Sequence, residues 1–531
     1  MFSLISFVFF TALVGLVSWL KTRKDDHAHG AGYFLAGNSL TGWVVAGSLM
    51  LTNLSTEQIV GLNGGAYLNG AMVMAWEVIA AIALVVMALY FLPRYWAGRI
   101  TTVPQFIERR FGRGMRQILS VLFLFFITIQ FLPFVLYSGA LVINSLFDVP
   151  GWLGLSEETS VWVTVWAVGT IGSIYAVFGG LRAVAISDTV NGIGLLIGGF
   201  LVPVLGLAAL GGGNPVDGWA RILENQSGML DPIGAAGSNI PVATLFTGMI
   251  LTNVYYWCTN QQIVQRTFGA KSLAEGQKGV LIAAVLKLLG PLYLVLPGII
   301  ALEMFGSDLA LPDTAYPLLV EAVLPAYLAG FFGAVLFGAI LSSFNSALHS
   351  ASTLFGLDVY KTVFRPQASD EETVRAGKVF GGVLAVVAMS LAPLIVHAPE
   401  GLFTLMKKVG AVINIPILAV VVMGVGTRRT HARAARIGLF SGMLFYVVFS
   451  WVLGNRIGGF EIHWLHSVGL NFVFMCGLMA LLSRLIPAGE TSDEGVLRPA
   501  VSGWWRLAKP MSAALIVLVF ALYVLLHQLG N

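Results

Sequence analysis

The sequence predicts an all-α polytopic membrane protein with about fourteen transmembrane helices. Of its 531 residues, 57% are hydrophobic and only 11% are charged, whereas soluble domains carry about 25% charged residues. Apolar stretches of about 20 residues, which is the length that spans a bilayer, recur from end to end. They lie near 3–21, 41–65, 70–94, 117–147, 160–178, 183–212, 240–258, 278–303, 326–352, 378–396, 402–425, 436–454, 466–485 and 508–528.

The basic residues alternate between successive loops. Most of the 30 Lys and Arg residues fall in odd-numbered loops; the seventh, for example, carries Arg266, Lys271 and Lys278. Even-numbered loops contain only Arg221 and Arg456. Because cytoplasmic loops are enriched in basic residues, the pattern predicts odd loops in the cytoplasm and both termini outside, in a cell (inner) membrane. The first stretch lacks a basic start and a cleavage site, so we expect a retained helix.

The second apolar stretch is interrupted by polar residues. Its middle, 52–58, reads TNLSTEQ within the longer run Ser48–Leu62. Polar side chains at this depth persist only when they face protein or water, and Asn, Ser and Thr compete for backbone hydrogen bonds. We therefore expect a helix broken at mid-membrane that offers carbonyls to a cation and side chains to a solute. The alternative is that these residues only join neighbouring helices.

A second polar interior suggests an internal repeat. The seventh stretch contains Thr252, Asn253 and the aromatic run 255–257. It starts five helices after the broken one and so runs in the opposite direction, as an inverted five-helix repeat requires. We expect one transporter domain over 1–531. Its parts are a peripheral helix and loop at 1–40, repeats at 41–212 and 240–426, and peripheral helices at 433–531.

Two isolated charges point to the centre of this domain. Glu77 and Lys287 each lie in an apolar helix, where an unpaired charge is costly and most often functional. They could hold solute hydroxyls, or they could form a structural ion pair. Asn253 with Tyr255, Tyr256 and Trp257 offers an amide beside aromatic faces, which suits a sugar-like solute. The alternative is a belt of aromatic residues at the membrane interface.

The ninth stretch has the chemistry of a sodium site. Ser342 and Ser343 are adjacent within it, and hard cations prefer oxygen ligands. Packing of small residues between helices is the alternative. Asp188, at the start of the sixth stretch, is either a helix cap or an acidic group on the path of the departing cation. No nucleophile–base arrangement, phosphate-binding loop or ATPase domain is recognisable, which argues against an enzyme and for transport driven by a gradient.

Six stretches resemble the solute:sodium symporter family, and within it the sodium/glucose cotransporter branch and its uncharacterised bacterial symporters. They are YFLAGNSLTGWVVAGSLMLTNLSTEQIVGLNG (33–64), TTVPQFIERRFG (101–112), YAVFGGLRAVAISD (175–188), NVYYWCTNQQIVQRTFGAKSLAEGQKG (253–279), VLPGIIAL (295–302) and LSSFNSALHSASTLFGLDVYK (341–361). The resemblance implies a LeuT-like inverted repeat and Na⁺-coupled symport of a small solute, with lipid as the surroundings and no nucleic-acid partner.

The resemblance also implies roles for particular residues. It places solute-binding side chains at Gln58, Glu77, Asn253 and Lys287. It places the inner gate at Tyr256 and the outer aromatic lid at Trp76 and Phe403. It implies Na⁺ ligands at the carbonyls of Leu51, Leu54 and Ala339 and the hydroxyls of Ser342 and Ser343, with Asp188 on the ion exit route.

One position departs from the sugar branch, where the eleventh helix usually offers a Gln to the solute. In the alignment through Pro416, Lys407 takes that place. A cation there favours an acidic sugar, whereas Lys407 and Lys408 could instead extend to the outer interface. The sequence thus predicts import of a sugar or sugar-like solute with Na⁺. Alternatives are a non-sugar solute, such as an amino acid or carboxylate, and a sensor built on a transporter fold.

Overall fold

The computed structural model describes residues 2–23, 29–309, 311–397, 402–486, 499 and 502–531, and it is helical almost throughout. Its α-helices are α1 (Phe2–Thr22), α2 (Gly30–Leu35), α3 (Gly42–Asn53), α4 (Thr56–Asn69), α5 (Ala75–Val86), α6 (Leu92–Gly98), α7 (Val103–Phe111), α8 (Arg113–Phe125), α9 (Leu132–Phe147), α10 (Val149–Leu153), α11 (Glu157–Leu210), α12 (Pro215–Asn225), α13 (Gly248–Cys258), α14 (Gln261–Phe268), α15 (Leu273–Leu288), α16 (Gly290–Leu294), α17 (Leu296–Phe305), α18 (Ala315–Val323), α19 (Ala326–Leu354), α20 (Asp370–Leu391), α21 (Leu402–Gly426), α22 (Ala432–Val447), α23 (Trp464–Leu485) and α24 (Ala508–Gly530).

Shorter elements complete the chain. The 3₁₀ turns are Ala36–Asn38, Gly70–Met74, Ser227–Leu230, Val242–Phe246, Pro312–Thr314 and Ala392–His397. The π-helical turns are Met87–Phe91, Phe126–Phe131, Phe355–Phe364 and Val448–Val452. A hairpin of β1 (Arg456–Ile457) and β2 (Phe460–Glu461) pairs antiparallel on the surface.

Within the described ranges, 10 helices are long and apolar enough to cross a membrane, or up to 11 if the bent pair Leu273–Leu288 and Gly290–Phe305 forms one span. The remaining apolar stretches of the sequence, 41–65, 160–178 and 240–258, are also largely helical. The first and third are divided into segments too short to span alone, and the second is continuous with α11. The all-α membrane class is therefore confirmed, while the number fourteen is approximate.

The predicted break in the second apolar stretch is present. Helix α3 ends at Asn53 and α4 begins at Thr56, with Leu54 and Ser55 between them. The Ser55 N–H donates to Asn53 O at 2.9 Å, and the Gln58 N–H donates to Ser55 O at 3.1 Å. Since α-helical bonds run to the residue four positions back, the carbonyls of Leu51 and Leu54 lose their regular partners.

The second break lies further along the chain than the polar residues of the seventh stretch suggest. Helix α13 continues through Asn253 and Tyr256 and ends at Cys258, and α14 begins at Gln261. The side chain of Asn260 accepts from the Gln262 N–H at 3.1 Å, so it caps the new helix. The expectation of two broken helices is thus confirmed, and the position of the second is corrected.

The two broken helices are joined by their backbones. The Leu40 N–H, just before α3, donates to Gly269 O at 3.0 Å, and the Lys271 N–H donates back to Leu40 O at 3.0 Å. This isolated parallel bridge pairs Leu40 with Ala270, just after α14. The start of one broken helix is therefore attached to the end of the other.

Helices α11, α15 and α19 surround the first broken helix, against which all three pack. Helix α11 turns sharply at Gly180, whose φ of 63° and ψ of −179° are non-helical and suit glycine. Helix α5 packs between α13 and α15. These contacts bring the two breaks, Glu77 on α5 and Lys287 on α15 to one central region.

The last helices pack against the outside of this core. Helices α22 and α23 contact α21, and α24 contacts α5 and α15. Near its start, the Trp505 N–H donates to Gln277 Oε1 at 2.8 Å; near its end, His527 Nδ1 lies 2.9 Å from Asp231 Oδ1. The domain boundaries and the outside location of both termini stay predictions.

Candidate solute and sodium sites

A central cavity contains the side chains that the sequence assigned to solute. It is bounded by the breaks after α3 and α13 and by α5, α15, α21 and the π-helical turn between α8 and α9. The lining residues are Asn53, Gln58, Trp76, Glu77, Ala80, Phe126, Gln130, Phe131, Thr252, Asn253, Tyr255, Tyr256, Trp257, Asn260, Lys287, Met406, Lys407, Ala411, Asn414 and Ile415. The predicted residues Gln58, Glu77, Asn253, Lys287 and Lys407 therefore meet in one place.

An ion pair lies at the base of this cavity. Lys287 Nζ is 2.6 Å from Glu77 Oε2, and it also donates to Asn53 Oδ1. The Gln58 amide donates to the other carboxylate oxygen of Glu77. All four side chains are buried, so the charges are paired and hydrogen-bonded, as burial requires. The ion pair of the first alternative is therefore present. The paired groups also line the cavity, and their contact with solute stays a prediction.

Aromatic rings and the Lys407 ammonium group also line the cavity. Lys407 Nζ lies 5.6 Å from the centre of the Trp76 ring and 5.7 Å from that of Tyr256, within cation–π range. Lys287 Nζ lies 5.4 Å from the Trp257 ring. Lys407 thus faces the cavity rather than the outer interface. The side chain of Phe403, the other predicted lid residue, lies outside the described part of the structure.

Two amides at the far end of the cavity were not singled out by the sequence. Gln130 lies on the π-helical turn Phe126–Phe131, and its Nε2 donates to Met406 O at 2.5 Å. Asn414, on α21, has a side-chain oxygen that is buried and lacks a hydrogen-bond partner within the described residues. Both amides border Gly410, where a Cβ would approach them to 3.2 and 3.0 Å. The sequence signal was an amide side chain in a largely apolar stretch, which packing alone also explains.

The predicted sodium ligands converge beside the first break. The carbonyls of Leu51 and Leu54 are released there from the helical pattern. Across from them on α19, Ser343 Oγ donates to Thr52 O at 3.3 Å, and Ala339 lies one turn before Ser343, fully buried. Neutral oxygens from an unwound helix and from adjacent hydroxyls match the ligands of a hard cation. The residues present therefore fit Na⁺ as the transported ion.

Asp188 is part of the same region. It lies two turns past Gly180, within α11, and is completely buried. Ser342 Oγ donates to its Oδ1 at 2.6 Å, and Ser48 Oγ donates to its Oδ2 at 2.7 Å. Its carboxylate thus receives hydroxyls from two other helices, which does not fit the helix-cap alternative. The negative charge lies one side chain away from the predicted Na⁺ ligand Ser342.

Arg266 differs from its expected position in a loop. It lies on α14, is completely buried, and donates to Ser346 Oγ. Ser346 Oγ in turn lies 3.1 Å from Thr52 Oγ1. The count of basic residues assigned Arg266 to a loop, because such a count does not distinguish a loop from the short second half of a broken helix. A buried guanidinium therefore lies on one side of the predicted sodium site and the Asp188 carboxylate on another.

This arrangement, with two broken helices around a polar cavity and an oxygen-rich cation site, agrees with one known family. The profile of the "Sodium:solute symporter family" matches residues 33–444. The chain belongs to this family. It is therefore a Na⁺-coupled solute symporter and a multi-pass membrane protein, and it is not an enzyme.

Individual relatives agree with this assignment. The chain is 43% identical over 528 residues to the "Uncharacterized symporter YidK" of Escherichia coli (strain K12), covering 99% of this chain and 91% of that protein. It is 32% identical over 464 residues to the sodium/glucose cotransporter of Vibrio parahaemolyticus, covering 82% and 83% of the two chains. It is 32% identical over 481 residues to the human sodium/myo-inositol cotransporter 2, covering 84% and 68%.

Solved structures share the fold of this symporter at low sequence identity. A substrate-bound, outward-open Na⁺-coupled sialic acid symporter matches 92% of this chain and 99% of its own, with a TM-score of 0.76 and 18% identity. Mhp1, a nucleobase-cation-symport-1 family transporter, matches 87% and 97% with a TM-score of 0.56 and 14% identity. The prediction of an all-α, LeuT-like transporter is thereby confirmed.

Proposed function

We propose that this symporter imports a sugar or sugar-like solute together with Na⁺ by alternating access. One observation carries the proposal, namely that side-chain amides, the Glu77–Lys287 pair and aromatic rings line a single cavity. A sugar presents apolar C–H faces and hydroxyl edges, so it uses rings on one side and fixed donors and acceptors on the other. Relatives that are sodium/glucose and sodium/myo-inositol cotransporters add support.

The solute class includes acidic sugars because of Lys407. Its ammonium group lies over the Trp76 and Tyr256 rings. An ammonium is a compact positive charge, and a neutral sugar needs no such charge in its binding site. A carboxylate on the solute would gain from a cation in a partly desolvated cavity, where screening by salt is weak. A uronate or another acidic sugar is therefore the preferred solute over its neutral parent.

The ion and the solute sites share the first broken helix. Leu51 and Leu54 precede and form the break, while Gln58 follows it on α4 and contacts Glu77. We propose that Na⁺ at the break fixes the position of α4, so that Gln58 presents its amide to the solute. This arrangement makes the affinity for solute depend on Na⁺ concentration, since each ligand favours the same conformation.

The test is uptake by the purified protein in proteoliposomes. An inward Na⁺ gradient is applied with neutral hexoses, inositols, uronates, amino acids and simple carboxylates as separate solutes. Sugar uptake that needs the Na⁺ gradient supports the proposal. Uptake of an amino acid or a simple carboxylate with no sugar transported contradicts the sugar assignment, and Na⁺-dependent binding without any uptake favours a sensor. A thermal-shift screen with and without Na⁺ narrows the solutes first, because a ligand of the native state raises its apparent stability.

A further inference from the structure

Helix α23 begins beside the mouth of the cavity, although it belongs to the C-terminal helices predicted to be peripheral. The rings of Trp464, its first residue, and Trp76 are stacked with centres 6.3 Å apart and planes 20° apart. This spacing lies within the range of attractive aromatic pairs. Behind the cavity wall, Ala411 and Ile415 pack on Val468 of the same helix. Helix α23 therefore supports both the wall and the lid of the cavity.

The start of α23 is fixed to the outer end of α13. The two backbones approach so closely that a Cβ at Gly248 would lie 2.0 Å from Leu465 O. His466 Nδ1 lies 2.9 Å from Thr247 Oγ1, and His463 Nε2 lies 3.1 Å from Asn239 O. Helix α23 is therefore attached to the helix that carries Asn253 and Tyr256 into the cavity.

Four side chains from four helices form a row across the mouth. Trp464 stacks on Trp76, Trp76 contacts the Lys407 ammonium, and that ammonium also contacts Tyr256. The row connects α23, α5, α21 and α13. Trp464 is the member at the outer end and is absent from the cavity lining itself.

We propose that Trp464 is a positioning residue of the outer lid, which holds Trp76 over the cavity and couples lid closure to the movement of α13. This inference rests on the proposed role of the cavity as the solute site. Without the Trp464 ring, Trp76 loses its stacking partner, and the open position of the lid becomes more populated. A phenylalanine retains part of the stacking surface, whereas a leucine removes the aromatic face.

The experiment measures access to the cavity and needs no solute. Ala80, which lines the cavity, is replaced by Cys in the full-length protein carrying Cys258→Ala and Cys476→Ala. A membrane-impermeant maleimide is added from the side on which α23 begins. We expect Trp464→Leu to accelerate labelling of Ala80→Cys several-fold and Trp464→Phe to have a smaller effect. Trp451→Leu is the matched control, because that Trp is exposed on the π-helical turn Val448–Val452 that follows the neighbouring helix α22, and it should leave the rate unchanged.

Two results would overturn the proposal. The first is labelling of Ala80→Cys in Trp464→Leu at the rate of the parent protein. The second is equal acceleration at Ala351→Cys, which is buried in α19 away from the mouth, because this would indicate a general loosening. Failure of sugar uptake in proteoliposomes would contradict the proposed function but would leave the labelling result standing. Where uptake is measurable, Trp464→Leu should also raise the half-saturating solute concentration several-fold.

Discussion

Lys287 Nζ lies 2.6 Å from Glu77 Oε2, and the two side chains are 1% and 0% exposed. Each charge has an additional amide partner, Asn53 for the lysine and Gln58 for the glutamate. A buried pair of this kind has a large desolvation cost, and removing one partner leaves the other charge uncompensated. The pair can therefore be essential to the fold and to solute binding at once, and the two roles need separate measurements.

Glu77→Gln should lower the stability of the protein and abolish solute binding. The lone Lys287 charge makes the expected loss about 3–5 kcal/mol in the free energy of unfolding. Glu77→Gln combined with Lys287→Met should recover much of this stability without recovering uptake, because the solute contacts are still missing. The measurements are thermal unfolding and uptake; the exposed pair Lys361–Asp370 provides the control Asp370→Asn, which should change neither. Restored uptake in the double variant would limit the pair to a structural role.

Ser343→Ala should weaken Na⁺ binding with little effect on the fold. It removes one proposed cation ligand beside the first break, which is expected to cost about 1 kcal/mol, or roughly a fivefold rise in the half-saturating Na⁺ concentration. The control is Ser352→Ala on the same helix, where Oγ donates only to Leu348 O of its own helix. The rate of uptake is measured as a function of Na⁺ concentration at saturating solute. The same half-saturating Na⁺ concentration in Ser343→Ala and Ser352→Ala would refute the assignment of Ser343 as a Na⁺ ligand.

Asp188→Asn should weaken Na⁺ coupling more strongly than Ser343→Ala. It removes a negative charge that accepts from Ser342, and hydrogen bonds to charged groups contribute about 1.5–3 kcal/mol. We expect the half-saturating Na⁺ concentration to rise by roughly tenfold or more. Asp358→Asn is the control, since this aspartate is equally buried but pairs with Arg116; it should reduce thermal stability without a comparable change in Na⁺ dependence. A larger rise in the half-saturating Na⁺ concentration for Ser343→Ala than for Asp188→Asn would contradict a role for Asp188 in Na⁺ passage.

Lys407→Gln should change which sugars compete for uptake. With the ammonium removed from the mouth of the cavity, the advantage of acidic over neutral sugars should narrow or reverse. The measurement is competition by uronates and their neutral parents at two salt concentrations, and only a partial effect of salt is expected because the charge is partly buried. Lys408→Gln is the neighbouring control. An unchanged ranking in Lys407→Gln would direct the search to neutral hexoses.

The structure agrees best with the sequence-based predictions where polar residues occur in an otherwise apolar membrane helix. Polar residues 52–58 inside an apolar stretch identified the first break, because a bilayer does not tolerate them in an ordinary helix. The position of the second break was not predicted, because polar residues are scattered between Asn253 and Gln265 and only the folded chain shows that Asn260 caps a new helix.

The remaining features depend on which helix faces which. Gln130 and Asn414 became cavity residues through the packing of α21 on the π-helical turn Phe126–Phe131, which no local pattern indicates. Trp464 lies 388 positions from Trp76 by their residue numbers, and only the docking of α23 on α13 brings them together. The family resemblance grouped Gln58, Glu77, Asn253 and Lys287, which line one cavity, because a resemblance carries such long-range information implicitly.

The bridge between Leu40 and Ala270 uses only main-chain atoms. Most substitutions at either position leave both hydrogen bonds available, although both side chains are buried and must still fit the core. Proline at 40 or at 271 is different, because it lacks the N–H that donates to Gly269 O or to Leu40 O, respectively. The attachment of the two broken helices therefore depends on backbone N–H groups and not on side-chain identity. Proline is the substitution that removes such a donor.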